Sequence, residues 1–407
     1  GRTRARATMM RWLAALTLLL YAACAASAHQ AATRTASAAF RPRARVQCAA
    51  TEAPSFPLDA VELRHRAVQR ESGLHREKVE VLQQMEPFVE KHLNILKTVE
   101  ESWQPQDFLP DYTAEDWVEQ TQELRRECAG LSDEVLIAVV GDTVTEEALP
   151  TYQTLLNSLD GMDDPSGVSQ NPWARWSRGW TSEENRHGDL LNKFLYLSGR
   201  VDMRAMEVTV QHLLQAGFDL QAAKDPYRGI VYTSFQERAT KISHQNVARL
   251  CGDQGAKSLA MLTTRIAGDE ARHEKAYQTF MQEIFRLDPS NAMISFADMM
   301  KSQIAMPAEA MTDGSNPHLF DDFSRVAQKI GVYTARDYAE ILAYLVEKFD
   351  AERITGLTPE AAEAQDLVCT LPQRYIKLAD RSMKRLSHVD EAELHQKFSW
   401  LKPRSGS

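Results

Sequence analysis

Two short runs in this chain place a carboxylate and an imidazole three residues apart. They are Glu184 with His187, and Glu270 with His273. Residues three apart share one face of a helix, with Cβ atoms about 5–6 Å apart. Carboxylate and imidazole together suit iron, and di-iron carboxylate bundles combine two such ExxH helices with one glutamate from each of two further helices. The spacing therefore predicts a metal site built between helices.

The two additional glutamates that such a site needs are available. Glu146 precedes the first ExxH pair and Glu237 lies between the pairs, which gives the chain order Glu, ExxH, Glu, ExxH. One pair alone carries little weight, because the spacing is common by chance. Glu62 and His65 share it without any partner, and an isolated pair is more often a solvated ion pair. The ordered set of four elements is what favours a metal site.

Glu184 has a competing interpretation as part of a helix start. Residues 181–184 read Thr-Ser-Glu-Glu, which is the sequence of a capping box. A better start lies upstream at Asn171 and Pro172, because asparagine caps helices and proline favours the first helical position. A helix that begins there contains Glu184 several turns inside, where capping is not its role.

After Thr51 the apolar pattern is helical almost throughout, with glycine and proline at the boundaries. We therefore predict an all-α fold, a bundle of about ten or more helices. The predicted helices are 59–73, 76–101, 114–129, 133–160, 172–198, 202–216, 226–251, 256–287, 291–304, 319–330, 334–355 and 359–385. Pro150 should kink the helix 133–160. The four helices that carry the candidate ligands are 133–160, 172–198, 226–251 and 256–287.

Charge supports a metal at this site. Four carboxylates gathered inside an apolar bundle would be strongly destabilising without counter-charge. Two Fe(II) ions would neutralise them. Iron is favoured over zinc because oxygen-rich ligation with one imidazole per metal leaves open positions for O2.

Long stretches around these residues resemble one enzyme family. Residues 141–161, 180–203 and 232–244 are similar to the soluble acyl-ACP desaturases of plastids, the stearoyl-ACP desaturase family. Shorter similar stretches at 102–111, 296–300 and 331–338 extend the resemblance over about residues 60 to 385. The resemblance implies a ferritin-like fold with a di-iron four-helix core and two iron ions per chain.

The resemblance also implies an activity. Members of the family use O2 and reduced ferredoxin to insert a cis double bond into an acyl chain carried on acyl carrier protein, in fatty acid biosynthesis. Stearoyl and the delta-9 position are the expected substrate and position. A shorter acyl chain, another position, or a ferritin-like iron protein without desaturase activity stays open. A ribonucleotide reductase radical subunit shares the ligand order but needs a tyrosine where this chain has Leu191.

Each ligand has a role by the same resemblance. Two sets of three are expected, one set mainly for each iron: Glu146, Glu184 and His187, and Glu237, Glu270 and His273. Glu184 and Glu270 would bridge the two ions. Thr240 lies one turn beyond Glu237 and would offer its hydroxyl to bound oxygen as a proton donor. Alternatively, this hydroxyl bonds its own helix backbone.

Asp269 and Trp103 are the remaining candidates near the metal. Asp269 precedes Glu270 and would orient the ligand histidine His187, as carboxylates commonly do behind metal-bound imidazoles. Trp103 would bond Asp269 and connect the iron to the surface for electron entry. Alternatively, Asp269 is a surface acid and Trp103 fills space between helices.

The acyl chain requires a narrow apolar slot beside the irons. Family positions that line or shape it match Leu155, Leu159, Leu220, Gly229 and Ile230. Many plant members carry methionine, proline and phenylalanine at the positions of Leu155, Leu220 and Ile230. These departures leave the preferred chain length and the double-bond position open.

The N-terminal region is typical of a targeting presequence. Apolar residues 13–28 follow Arg11 and end in a small-x-small pattern, and no acidic residue precedes Glu52. We expect a signal peptide plus transit peptide over residues 1–51, or a plain transit peptide, and delivery to the plastid stroma. The desaturase domain is expected over 52–385, followed by a tail over 386–407. Three dispersed thiols outside the presequence, with no CxxC, favour a reducing compartment.

The charge balance restricts the partners. The net charge is −9, and without the eight arginines of the first 48 residues it is −9 − 8 = −17. This argues against nucleic-acid binding. No apolar run is long enough to span a membrane, so no membrane insertion is expected. The resemblance implies acyl carrier protein, ferredoxin and a homodimer as partners. The first two are acidic, and a basic face could dock them or simply be solvated: Arg374, Lys377, Arg381, Lys384 and Arg385.

Overall fold

The computed structural model describes residues 75–220, 222–302, 304, 306–383 and 391–402. Within these ranges the chain forms 14 α-helices and no strand. The helices are α1 (Arg76–Gln84), α2 (Glu86–His92), α3 (Trp117–Ala129), α4 (Asp133–Glu147), α5 (Leu149–Leu156), α6 (Pro172–Ser198), α7 (Met203–Ala216), α8 (Pro226–Asp253), α9 (Lys257–Leu287), α10 (Pro289–Lys301), α11 (Leu319–Ile330), α12 (Ala335–Lys348), α13 (Pro359–Met383) and α14 (Glu391–Lys397). The prediction of an all-α fold is confirmed. The predicted helix 59–73 lies outside the described residues.

Two of the central helices begin as the sequence predicts. Asn171 Oδ1 accepts a hydrogen bond of 2.8 Å from the backbone N–H of Trp173 at the start of α6. Asp225 Oδ1 accepts one of 2.9 Å from Tyr227 N–H at the start of α8. Each cap is followed by proline, whose missing N–H costs nothing at this position. Glu184 is therefore far inside α6, and the capping-box interpretation is wrong.

The predicted helix 133–160 is broken rather than kinked. α4 ends at Glu147 and α5 begins at Leu149, because Pro150 lacks the N–H that would continue the hydrogen bonding of α4. Helix α6 comes very close to this break. A Cβ atom added to Gly188 would lie 3.2 Å from the backbone nitrogen of Glu147, so glycine permits the contact.

Other predicted helices are shorter than expected. The helix predicted over 76–101 ends near residue 95, after α1, α2 and a 3-10 turn at Leu93–Ile95. Pro87, the second residue of α2, lacks the N–H that would continue α1 and so separates the two helices. The helix predicted over 334–355 ends at Lys348, and Asp350 then adopts a left-handed backbone with φ of 54°.

The ligand-bearing helices α4, α6, α8 and α9 lie at the centre of the fold. Helices α8 and α9 pack along most of their lengths, and α4 packs on α6. One apolar core surrounds the N-terminal half of α8 and includes Trp176 and Phe280. A second surrounds α4 and includes Val139 and Phe194. Trp180 belongs to the first core and Leu191 to the second, so α6 passes through both.

The C-terminal residues pack into the body of the protein. Trp400 is fully buried and its Nε1 donates a hydrogen bond of 2.9 Å to Thr209 Oγ1 on α7. Lys397 lies 2.9 Å from Asp322. The prediction that residues 386–407 form a tail is therefore wrong for residues 391–402, which pack as part of the fold. Buried aromatic and exposed polar residues alternate over only 398–400, which is too short a pattern to predict packing from the sequence.

Two further features concern the described residues as a whole. Cys128, Cys251 and Cys369 carry free thiols, and the first two are buried. In the part of the chain that the structure describes, no helix combines the length and the apolar character that crossing a bilayer requires.

We predict that Trp400→Ala lowers the free energy of unfolding by about 3–5 kcal/mol, because it removes a large buried side chain and leaves a cavity. Urea unfolding of the purified variant measures this. Trp117→Ala is the matched control, since Trp117 is 40% exposed, and should cost about 1 kcal/mol or less. Equal costs would contradict the packing of the C-terminal segment.

Candidate metal centre

The six candidate ligands lie together between α4, α6, α8 and α9. Their oxygen and nitrogen atoms form two groups of four, and within each group the atoms lie within 4.8 Å of one another. The first group joins Glu146 and His187 to two shared glutamates; the second joins Glu237 and His273 to the same two. Glu184 and Glu270 are the shared pair, in the positions expected of bridging ligands. Glu62 and His65, the decoy pair, lie outside the described residues.

The shared glutamate Glu184 reaches both imidazoles. Its Oε2 lies 3.1 Å from His187 Nδ1, and its Oε1 lies 2.7 Å from His273 Nδ1. Glu270 Oε1 lies 3.3 Å from His187 Nδ1 on the other side. Both histidines are fully buried. The Nδ1 atom of each ring therefore points into the cluster, and the Nε2 atom points out of it.

Several inward-facing atoms lack a hydrogen-bond partner. They are Glu184 Oε1, Glu270 Oε1, His187 Nδ1 and His273 Nδ1. Buried polar atoms without partners are costly, and native proteins rarely leave them so. A pair of cations would satisfy carboxylate oxygens and imidazole nitrogens that converge in this way. The donor set, rich in oxygen with one imidazole per group, fits iron.

An acid stands behind each imidazole. Asp269 Oδ2 lies 3.4 Å from His187 Nε2, as the sequence analysis predicted. Glu183 Oε2 lies 2.9 Å from His273 Nε2, and the sequence analysis missed this residue. A carboxylate behind a ligand histidine fixes the ring orientation and its tautomer. Both rings are thus held with Nδ1 free to bind.

A repeated motif could have revealed Glu183. Residues 183–187 and 269–273 both read acid, Glu, any residue, Arg, His. The two arginines bind across the helix pair: Arg186 Nη2 donates to Asp269 Oδ2 at 3.1 Å, and Arg272 Nη2 donates to Glu183 Oε2 at 2.6 Å. Each acid therefore contacts both the histidine and the arginine of the other helix.

Trp103 lies where the sequence analysis expected it. Its Nε1 donates a hydrogen bond of 2.8 Å to Asp269 Oδ2, and its ring stacks on His187 with centroids 6.0 Å apart. The Arg186 guanidinium covers the indole at 4.5 Å from the ring centroid. Trp103 is only 7% exposed. The alternative that Asp269 is a surface acid is wrong, since Asp269 is buried.

Two further side chains hold the outer glutamates, and the sequence analysis missed both. Trp180 Nε1 donates to Glu237 Oε1 at 2.9 Å. His244 Nε2 lies 2.9 Å from Glu146 Oε1. In the sequence, only their spacing from the ligands could have indicated these residues. Trp180 is one helical turn before Glu184, and His244 is two turns after Glu237.

An apolar cavity lies against the carboxylate side of the cluster. Its wall includes all four glutamates but neither histidine. Of the five predicted pocket residues, Leu155 lines this cavity; the roles of Leu159, Leu220, Gly229 and Ile230 stay predictions. Leu159 fills the space above Gly229, where an added Cβ would lie 2.3 Å from Leu159 Cδ1. The lining residues that the sequence analysis missed include Tyr152, Leu156, Phe218, Tyr232 and Gln236.

Two further spaces share lining residues with this cavity or with each other. A second space shares Thr145, Glu146 and Thr240 with the first. It also shares Met306 and Tyr333 with a surface groove between α11, α12 and α13. Thr240 lines both the first and the second space. Its hydroxyl donates to the backbone carbonyls of residues 236 and 237, at 3.1 and 3.2 Å, which is the alternative bonding that the sequence analysis considered.

The ionisation of these groups follows from their burial and their neighbours. Burial would lower the pKa of His187, but Glu184 and Asp269 raise this pKa well above its usual value. The pKa of His273 is raised in the same way, against burial, by Glu184 and Glu183. Burial raises the pKa of Glu237 well above normal. Each of these three groups therefore holds its proton more tightly than an exposed group of the same kind does.

Comparison with known proteins identifies the family. The model of the family described as fatty acid desaturase matches residues 77–402. This chain belongs to the fatty acid desaturase family. A chloroplastic stearoyl-[acyl-carrier-protein] 9-desaturase of Arabidopsis thaliana is 50% identical over 335 residues, which are 82% of this chain and 84% of that protein. The resemblance seen in the sequence is confirmed.

Two other relatives of this desaturase show the range of names in the family. A chloroplastic stearoyl-[acyl-carrier-protein] 9-desaturase of Spinacia oleracea is 49% identical, over 82% of this chain and 83% of its own length. A chloroplastic palmitoyl-[acyl-carrier-protein] 4-desaturase of Ophrys sphegodes is 50% identical, over 82% of this chain and 83% of its own length. Overall identity therefore does not distinguish one acyl chain or position from the other.

We predict that metal binding by this desaturase releases protons. Ligands must be deprotonated to bind, so two metal ions should displace protons from His187, His273 and Glu237, whose pKa values are raised. The apparent affinity should rise with pH, by about tenfold per pH unit for each displaced proton. Titration of metal-depleted protein with Co2+, in weak buffer with a pH indicator, measures both.

His318→Gln is the control for this experiment, because the side chain of His318 is 76% exposed and lies away from the cluster. It should release the same number of protons as the unmodified protein. Binding of two ions with no proton release would contradict the raised pKa values.

Proposed function

We propose that this desaturase inserts a cis double bond into a saturated acyl chain carried on acyl carrier protein, using O2 and electrons from ferredoxin. The observation that carries the proposal is the cluster of six candidate ligands that opens on its carboxylate side into an apolar cavity. Stearoyl and the delta-9 position are the proposed substrate and position, since two of the relatives bear those names. Palmitoyl or another position is the alternative, because an equally similar relative is named a palmitoyl 4-desaturase.

The six candidate ligands would hold two iron ions per chain. When bound, the iron would supply the activation of O2 that C–H cleavage requires. The protein contributes the positions of the ligands: Glu184 and Glu270 lie between the two groups, and one histidine completes each. Asp269 and Glu183 hold the two imidazoles from outside.

The apolar cavity beside the cluster would hold the acyl chain. Leu155, Leu156 and Phe218 contribute apolar surface beside the cluster and exclude water from it. Restraint of this kind decides which C–H bonds react, because a displacement of about 1 Å can cost roughly 10²-fold in rate. Thr240 lines the same cavity. Rotation of its hydroxyl away from the helix backbone would let it donate a proton at the cluster.

Electrons would enter on the opposite side. Neither histidine lines the cavity, and Trp103 and Asp269 lie behind His187. An approach of ferredoxin toward Trp103 would keep the reductant away from the acyl chain.

The remaining assignments also stay proposals. We place the mature enzyme in the plastid stroma, as a homodimer, with residues 1–51 as the targeting presequence; these residues lie outside the described part of the chain. The relatives named above are chloroplastic. In the basic face, Arg374, Lys377 and Arg381 are exposed on α13 and could receive an acidic partner.

The decisive experiment is an assay of the iron-loaded protein. Stearoyl-ACP and palmitoyl-ACP are offered separately with ferredoxin, a reductant and O2, and the position of the double bond in the products is determined. We expect an O2-dependent monounsaturated product from stearoyl-ACP. Full iron content with no unsaturated product from either substrate would overturn the proposal.

We predict that Leu155→Trp shifts the preference toward shorter acyl chains. The larger ring would occupy the cavity beside the cluster, so stearoyl turnover should fall by about 10²-fold, with a smaller loss on a shorter substrate. Iron content should stay unchanged. Val168→Trp is the control, since Val168 is 56% exposed. Equal losses on both chain lengths would show that Leu155 does not limit the chain.

We predict that Trp103→Phe lowers ferredoxin-dependent turnover by about 10–100-fold. The substitution keeps an aromatic ring but removes the donor to Asp269. Steady-state turnover and iron content are measured together. Trp173→Phe is the matched control, because it removes an indole bond of 3.0 Å to the Leu82 carbonyl, remote from the cluster. Unchanged turnover would exclude Trp103 from electron entry.

A further inference from the structure

The two outer glutamates are held in the same way but by different donors. Glu237 turns Oε2 toward the cluster, 3.6 Å from His273 Nδ1, and Oε1 toward Trp180 Nε1, at 2.9 Å. Glu146 turns Oε2 toward His187 Nδ1, at 3.7 Å, and Oε1 toward His244 Nε2, at 2.9 Å. Each outer carboxylate therefore presents one oxygen to the metal side and has the other fixed from behind.

The difference between the donors follows from the repeated motif. Trp180 lies four residues before Glu184 on α6. The equivalent residue of α9, four before Glu270, is Ile266, which is fully buried and has no side-chain donor. The repeat thus provides a hydrogen-bond donor for Glu237, the indole of Trp180, but no donor for Glu146. His244 supplies the missing donor from α8.

His244 is built into this position rather than lying there by accident. It is 2% exposed. A carboxylate can only accept, so His244 Nε2 carries the hydrogen of the bond to Glu146. Asp142 Oδ2 lies 3.9 Å from the other ring nitrogen, and Ser243 Oγ donates to Asp142 Oδ1 at 3.1 Å. Asp142 is one turn before Glu146 on α4. The ring is therefore enclosed between α4 and α8.

We propose that His244 is a positioning residue for the metal site of Glu146 and His187, and that Trp180 serves the site of Glu237 and His273. The outer carboxylates of the two metal sites are then supported independently, each by one hydrogen bond from outside the ligand set. Loss of one bond frees one carboxylate to turn away and weakens one site. Loss of such a supporting partner typically costs about 10–100-fold in metal affinity. The inference rests on the proposed function only in requiring that the cluster binds two metal ions.

The test is the binding of Co2+ to metal-depleted protein, which does not depend on enzyme activity. Unmodified protein, His244→Phe and Trp180→Phe are compared by calorimetric titration. We expect two equivalents in every case, with one of them weakened about 10–100-fold in each variant. Anomalous scattering from crystals at limiting Co2+ identifies the weakened site. The ion should remain beside Glu237 in His244→Phe and beside Glu146 in Trp180→Phe.

Two further variants distinguish positioning from general structural damage. His244→Gln keeps an N–H donor at a similar reach and should recover most of the lost affinity. His318→Gln changes an exposed histidine and should bind both ions as the unmodified protein does. Helix content and the unfolding midpoint are measured for every variant.

Three results would overturn the inference. They are unchanged affinities in His244→Phe, equal loss at both sites, and a His244→Gln variant as weak as His244→Phe. An unmodified protein that binds fewer than two ions would instead count against the proposed function.

Discussion

The cost of burying four carboxylates at one point governs the rest of this structure. Glu146, Glu184, Glu237 and Glu270 lie within one small volume between the helices, largely removed from solvent. An unpaired charge in such a place costs far more than the protein's net stability can absorb. Two buried histidines reduce the charge by holding protons, and two cations would remove it. Stability and metal binding are therefore linked through the same side chains.

The acid–Glu–x–Arg–His repeat provides the outer half of this charge balance. Asp269 and Glu183 would themselves be buried charges in need of compensation. Each accepts from a histidine and from an arginine, and the arginines tie α6 to α9. Burial would raise the pKa of Glu183, but His273 and Arg272 lower it to about 2. The charges therefore alternate outward from the centre, and this fixes the register of the two helices.

A feature of the fold or of the site could be predicted from the sequence when the residues that form it lie on one helix. The ligand set was predictable because the three-residue spacing of Glu184 and His187 is a property of a single helix. The caps of α6 and α8 were predictable for the same reason. Glu183 was missed although its motif is repeated, because it adjoins a ligand and was interpreted as part of a cap. His244 and Trp180 were missed because each supports a glutamate on a different helix, and only the packing of the helices brings them together.

The cavity was the least predictable feature, and the reason is local. Its wall combines α5, which exists only because Pro150 breaks the preceding helix, with Phe218 from the loop between α7 and α8. The Phe218 ring lies 6.0 Å from the Tyr152 ring and 5.8 Å from the Tyr232 ring, so three aromatic residues from three elements meet there. Helical periodicity contains no information about such a junction. A one-residue insertion or deletion in the loop between α7 and α8, or at the break between α4 and α5, would move the wall relative to the cluster. It would not alter any ligand. On the proposed function, this separation accounts for relatives of equal similarity that are named for different acyl chains and positions. The ligand helices would fix the metal chemistry, and the junction would set what lies beside it.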